Sequence, residues 1–396
     1  MGDRKKIAAI ITEYRPGSHA VAIVTKFLKG FPTDGGLLAP RVDLVSMYVD
    51  QFPEQDLSRR LSEEHGVPIY NSIVKALTLG GKDLAVDGGL LIGEHGDYAW
   101  NEKDQHLFPR KYFMEQICGV FATSGRSVPV FNDKHLSYSW ADAKWMYDRA
   151  THLDVPFMAG SSFATCWRNP WLEHELETPI EEAVVIGFSG LDIYGFHAID
   201  ALQCMVERRV GGETGVSAVT CLEGDVVWRA AHEGAWSIEL SRAASDAIEK
   251  KPDGSMEDRA ENPVAFLIEY SDGLKATVLM LTGYVVDFSY AARLGNEVLS
   301  SEFYLKPGPP HPHFSYLCMN IEEMFLTGKP QYPVERTLLA SGILEAALDS
   351  RYQGGIRLET PHLDVSYQSY DIPPHRPAAR RPEGASLVPF EETQDD

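Results

Sequence analysis

Strand-like and helix-like patterns alternate through the first 160 residues, and this alternation constrains the fold more than any other feature of the chain. Lys6–Thr12 is a buried-strand pattern, and His19–Phe31 places apolar residues near helical spacing. Val42–Val49 is a second strand, and Gln55–His65 a polar, charge-laced helix ending at Gly66. Asp83–Ile92, Val128–Phe131 and Val155–Met158 continue the strands, with helices at Phe108–Ser124 and Trp140–Leu153 between them. Strands separated by helical crossovers pair in parallel, with helices on both faces. Residues 1–160 are therefore predicted to form a Rossmann-like, doubly wound parallel sheet of the nucleotide-binding type.

The pattern changes after residue 160. Pro179–Ile186 and Val216–Leu222 are strand patterns, and so are Val264–Tyr270 and Leu274–Leu281, joined by the tight-turn signal Ser271-Asp272-Gly273. Helices are predicted at Phe196–Arg208 and Arg336–Gln353. Strands in longer runs with flanking helices predict an α+β domain over 161–370 with an open, mostly antiparallel sheet. A chain of 396 residues is long enough for two such cores. Residues 371–396 are proline-rich and end in an acidic run, and are expected to form an extended tail.

Charge narrows the partners. The 36 Lys and Arg face 57 Asp and Glu, a net −21, which repels phosphate backbones and anionic lipid and argues against nucleic-acid and membrane roles. The five cysteines are scattered and never form a CxxC pair, as expected of a reducing compartment rather than a disulfide framework or zinc ribbon. The apolar run Ile7–Ile11 is too short for a signal-peptide core, so a cytoplasmic location is expected.

Several segments, taken in order, carry a resemblance. Ala8-Ala9-Ile10 leads to a turn closed by His19-Ala20, and Val42–Asp50 ends in an acidic residue. Glu63-Glu64-His65-Gly66-Val67-Pro68-Ile69-Tyr70-Asn71-Ser72 follows, then Val130-Phe131-Asn132-Asp133-Lys134-His135. Next come Gly195-Phe196-His197-Ala198-Ile199-Asp200 and Leu326-Thr327-Gly328-Lys329-Pro330. Over about residues 5–360 this order resembles the Gfo/Idh/MocA family of sugar and polyol dehydrogenases. The resemblance implies an NAD(P)-dependent oxidoreductase in which Asp50 meets a ribose, Lys134 lies beside the reacting carbon and His197 is the general base. The family's partner aspartate would fall at Ile193, so the relay is shifted to Asp192 or replaced by Tyr194. The resemblance also implies a dimerisation face on the second sheet, hence a homo-oligomer, dimer or tetramer.

The chain departs from the family where the cofactor should sit. If His19 holds its family position, the three fingerprint glycines are replaced by Ile11, Glu13 and Pro16. Those glycines allow a tight turn and close approach to a pyrophosphate, whereas Glu13 brings a carboxylate and Pro16 a ring without an N–H. Arg15, Gly17 and Ser18 offer a substitute anion loop slightly later. Weak or absent NAD(P) binding is the expectation, although Glu13 on an ordinary solvated loop would mean less. Three strand-end loops also carry Glu13, Glu94, His95, Asp97, Asp133 and His135. With His197 these residues suggest a divalent cation, Zn or Mn, held by Glu94, His95, His135 and His197. Taken singly, each histidine is more often a hydrogen-bonded site or core residue than a ligand.

Substrate-contacting candidates are Asp97 and Asp133 at the strand ends, together with Trp167 and Arg168. Glu207-Arg208-Arg209 fits an interdomain ion-pair role better than a pocket. Two functions then stand nearly level. One is an NAD(P)-dependent oxidoreductase of a sugar or polyol. The other is a dinucleotide-independent lyase, isomerase or hydrolase of a sugar that uses a metal or acid–base groups. A non-catalytic sugar-binding protein is the third.

Overall fold

The computed structural model describes residues 4–305, 308 and 310–377; residues 378–396, most of the expected tail, lie outside the described part. Lys6–Glu13 is the middle of a six-stranded sheet whose spatial order is Ile69–Tyr70, Asp43–Gln51, Lys6–Glu13, Gly88–Ile92, Val130–Asp133 and Phe157–Gly160. Every pair in it is parallel. The chain winds outward on one side of Lys6–Glu13 and then on the other. The topological switch point therefore lies between Lys6–Glu13 and Gly88–Ile92, where open α/β sheets form their ligand crevice.

Some boundaries shift for local reasons. The first helix runs His19–Lys29 rather than to Phe31, because Gly30 (φ 112°) ends it and Phe31–Thr33 turns into a small hairpin with Gly36–Leu38. The strand predicted from Asp83 begins at Gly88; before it, Leu84 N donates to Ser124 Oγ (2.9 Å) and Ala85 N to Leu77 O (2.9 Å).

The second sheet has eight strands in the order Leu358–Glu359, Val216–Glu223, Val264–Tyr270, Lys275–Met280, Glu182–Gly187, Phe288–Leu294, Glu297–Tyr304 and Trp167–Asn169. Only the Glu182–Gly187 and Lys275–Met280 pair is parallel. Alternate residues of Glu182–Gly187 enter different cores. Ala183 and Val185 pack with the helices Ile193–Val206 and Glu335–Tyr352, while Val184 and Ile186 pack with Val227, Trp236 and Leu240. Those last three belong to the segment containing the helices Asp225–His232 and Ile238–Ala247, which the sequence patterns did not reveal. These helices pack on the sheet face opposite the helices Ile193–Val206 and Glu335–Tyr352.

The helix His313–Thr327 returns to the first sheet, placing Leu317, Ile321 and Phe325 against Ile7, Ala9 and Ile11. A side chain at Gly88 would put a Cβ 2.5 Å from the Phe325 ring, so only glycine permits this approach. All five cysteines are buried and unpaired. No helix among the described residues is long and apolar enough to cross a membrane.

Candidate active site

The crevice at the carboxyl edge of the parallel sheet is occupied by the chain's own side chains. Glu13 ends the first strand, 5% exposed, and its carboxylate takes the Arg15 guanidinium at 2.5 Å. Gly17 (φ 74°) makes the turn, and Ser18 caps the helix by accepting from Val21 N. The next helical N–H, that of His19, points at His95 Nδ1 (3.4 Å). Burial lowers the His95 pKa to about 3 against the pull of Glu94. A neutral imidazole therefore stands at a helix N-terminus that would otherwise attract an anion.

Asp50, in the ribose position, accepts Tyr48 Oη (2.6 Å) on one carboxylate oxygen and Tyr98 Oη (2.7 Å) on the other. Gln51 next to it grips the backbone of Asp97 with both ends of its amide (2.8 and 3.1 Å), while the Asp97 side chain faces solvent. The loop of residues 93–98 is thereby tied down across the carboxyl ends of the first two strands.

Beneath it lies a buried charge cluster. Glu94 sits between Lys134 Nζ (3.0 Å) and the Arg110 guanidinium, and Arg110 Nη1 also donates to His135 Nε2 (3.0 Å). Burial alone would raise the Glu94 pKa, but Lys134 and Arg110 beside it hold it well below the carboxylate range. Burial and the adjacent Arg110 charge keep His135 neutral. Gly93 is required here, since a Cβ would stand 2.6 Å from the Arg110 side chain. Lys134 itself is 1% exposed and adopts φ 61°, in the left-handed region that a non-glycine residue rarely occupies.

Between the two sheets opens a cavity of about 560 Å³, with His19, His197 and His313 in its wall beside Phe163, Tyr194 and Phe288. His197, on the first turn-and-a-half of the helix Ile193–Val206, has ring centroids of Phe163, Tyr194 and Phe288 at 5.0, 6.0 and 6.3 Å. Burial, with Lys134 nearby, drives its pKa well below the usual histidine value, so the imidazole is neutral. Its Nδ1 has no hydrogen-bond partner among the described residues. His19 closes the opposite wall and is oriented by Asp133, which accepts from or shares a proton with His19 Nδ1 at 2.6 Å. A buried carboxylate behind an imidazole fixes the ring and its tautomer.

Several expected site residues lie elsewhere. Asp192 is not paired with His197: its Oδ2 accepts from His106 N (3.0 Å) and it lines a different cleft. Tyr194 lines both cavities. Trp167 and Arg168 are interior residues, because the strand Trp167–Asn169 is buried as it pairs with Glu297–Tyr304. Trp167 donates to Asp34 (3.2 Å) and Arg168 pairs with Glu173. The expected cation set is also not assembled: Glu94 and His135 are spent on Arg110 and Lys134, and His95 on a helix end. Among the described residues no group of three His, Cys, Asp or Glu could hold a metal ion. Glu207, Arg208 and Arg209 are internal, Glu207 taking Arg336 through both oxygens. The sequence offers His313, within Pro310-His311-Pro312-His313, as a pocket-lining candidate, and it does line the cavity; the residues that spacing did not reveal are His19 and Arg110. His19 could have been found, because it follows a cap at the switch-point strand, but Arg110 reads as an ordinary helix-start cation.

A parallel Rossmann-like sheet, joined to a mixed sheet whose first long helix brings a histidine to the interdomain cavity, is the Gfo/Idh/MocA oxidoreductase fold. GenD2 from gentamicin A biosynthesis, solved with NAD, matches with TM-score 0.59 and 14% identity over 91% of this chain and 97% of that one. Myo-inositol 2-dehydrogenase from Lactobacillus plantarum matches with TM-score 0.56 and 11% identity, covering 90% and 99%. Scyllo-inositol dehydrogenase from Lactobacillus casei, solved with NAD(H) and scyllo-inositol, matches with TM-score 0.55 and 10% identity, covering 90% and 99%. No protein-family model matches the sequence, and no curated protein matches it either.

The groups that would meet a dinucleotide in this crevice are already engaged within the chain. Its pyrophosphate would meet the Glu13 carboxylate and displace His95 from the helix end, and its ribose would compete with two tyrosine hydroxyls for Asp50.

Proposed function

We propose that this chain is an oxidoreductase-type enzyme acting on a sugar or polyol, with the 560 Å³ cavity as the substrate site and His197 as the proton acceptor. The observation that carries this reading is His197 itself, a neutral imidazole in the cavity wall whose Nδ1 has no partner. Removing a hydroxyl proton is the step that alcohol oxidation needs from the protein, and a neutral histidine held in place is suited to it. The aromatic rings of Phe163 and Phe288 offer apolar faces to a sugar ring. On the facing wall, His19, oriented by Asp133, offers a second hydrogen-bonding group to the same ring.

Lys134 acts through charge rather than contact. It is paired with Glu94 beneath the cavity, and its positive field adds to burial, the larger cause, in keeping His197 neutral. Several fold neighbours were crystallised with NAD, which supports a nicotinamide as the hydride acceptor for the fold. In this chain the crevice residues give that cofactor weak purchase; when bound it would take the hydride from the carbinol carbon, while His197 takes the hydroxyl proton. The metal-dependent reading finds no donor set among the described residues.

The test is oxidation of a panel of inositols, aldoses and alditols with NAD+ or NADP+, comparing the wild-type chain with His197→Asn. Turnover of at least one polyol, reduced about 10²–10⁴-fold in the variant, is expected. Equal rates in both proteins would move the active site elsewhere.

A further inference from the structure

A second cleft of about 500 Å³ opens on the other side of Tyr194, with Trp100, Asp104, Asp192, Glu223, Glu261 and Arg351 among its lining residues. Its size is ordinary for a small-molecule site. Trp100 is 57% exposed, unusual for so large an apolar side chain, yet it is held rigidly: its indole stacks on His106 at 4.2 Å and 16°. The His106 ring is fixed in turn at Tyr98 O (3.1 Å), and the His106 backbone N–H donates to Asp192 Oδ2. The flat platform and the carboxylate are thus parts of one braced unit.

Asp192 is the second observation. It is 4% exposed, and its Oδ1 has no hydrogen-bond partner among the described residues. It precedes the helix Ile193–Val206 but makes no capping bond, so helix capping does not account for it. Burial raises its pKa to about 6. An unpartnered oxygen on a buried carboxylate costs free energy, so it calls for a donor beyond the described residues.

The remaining charges state what that donor is. Four carboxylates, those of Asp104, Asp192, Glu223 and Glu261, face one guanidinium, and Arg351 is already shared by Asp104 (2.8 Å) and Glu223 (2.7 Å). Ionised carboxylates accept hydrogen bonds and cannot donate them, so the cleft calls for a ligand rich in O–H and N–H groups and positively charged. An exposed indole face beside them takes the apolar face of a ring and favours an ammonium over it.

We infer that this cleft binds a polyhydroxylated amine, an amino sugar or aminocyclitol, with its ring on Trp100 and its ammonium or hydroxyl donors on Asp192. The site is separate from the cavity that holds His197, and it stands whether or not the oxidoreductase reading does.

Calorimetric titration of the full chain at pH 7 with D-glucosamine and with D-glucose tests the proposal. Glucosamine should bind, and glucose about tenfold more weakly or not at all. Trp100→Ala should weaken glucosamine by about tenfold with an unchanged melting temperature, and should leave polyol turnover intact. Asp192→Asn should abolish the preference for the amine. No glucosamine binding by the wild-type chain, or equal binding of the two sugars, would overturn the inference. So would glucosamine binding that survives Trp100→Ala but is lost in His197→Asn, because the ligand would then lie in the other cavity.

Discussion

Replacing Glu94 by glutamine removes the anion that lies between two buried cations. In the folded chain Lys134 Nζ lies 3.0 Å from the carboxylate and Arg110 contacts its other oxygen, all three side chains being at most 2% exposed. Glutamine keeps the shape but leaves two positive charges facing each other without water. Breaking a buried pair in this way costs about 3–5 kcal/mol. With a urea m-value of about 3 kcal/mol/M, the midpoint falls by roughly 1–1.7 M. The pH dependence provides a second reading of the same contact. The Glu94 pKa is lower in the folded chain than its ordinary value of 4.5, so its contribution is complete above that pH and is lost as pH falls through the folded value. Urea unfolding followed by circular dichroism at pH 7 and at decreasing pH should show wild type and variant converging in acid. A difference below about 1 kcal/mol at pH 7, or one that does not narrow in acid, would refute the account of the cluster.

Lys134→Met should also destabilise the chain, by leaving Glu94 with Arg110 alone, and should lower turnover by letting His197 take a proton more readily; a thermal melt unchanged from wild type would contradict the first part. Because the His197 pKa is pushed well below 6.5, its basic form persists across the neutral range, and kcat/KM should show no acidic limb near pH 6.5; such a limb in a pH–rate profile would identify a different base. Tyr98→Phe with His95→Ala frees one oxygen of Asp50 and the helix end together, and should raise NAD+ affinity at least about tenfold by titration calorimetry, since a hydrogen bond to a charged group contributes about 1.5–3 kcal/mol. Micromolar NAD+ binding by the wild-type chain would show that the loop of residues 93–98 is no obstacle.

The sequence by itself determined the layers. Apolar runs of strand length separated by amphipathic helices admit a parallel sheet and little else, and the Ser271-Asp272-Gly273 turn placed a hairpin in the second sheet, where Val264–Tyr270 pairs antiparallel with Lys275–Met280. It also marked the crevice as altered, because Glu13 and Pro16 stand where glycines would be needed. What it left open is who touches whom across long separations. Glu94, His95 and His135 look like a cation set when read along the chain. Only in three dimensions does Arg110, a helix-start residue 16 positions after Glu94, enter between them and convert donors into ion-pair and hydrogen-bond partners. Asp192 and His197 lie five residues apart on paper, yet the helix start turns the first toward one cleft and the second toward another. Periodicity records which side of an element is buried. Which charge meets which is decided by the packing of elements far apart in sequence, and at this site that packing set the chemistry.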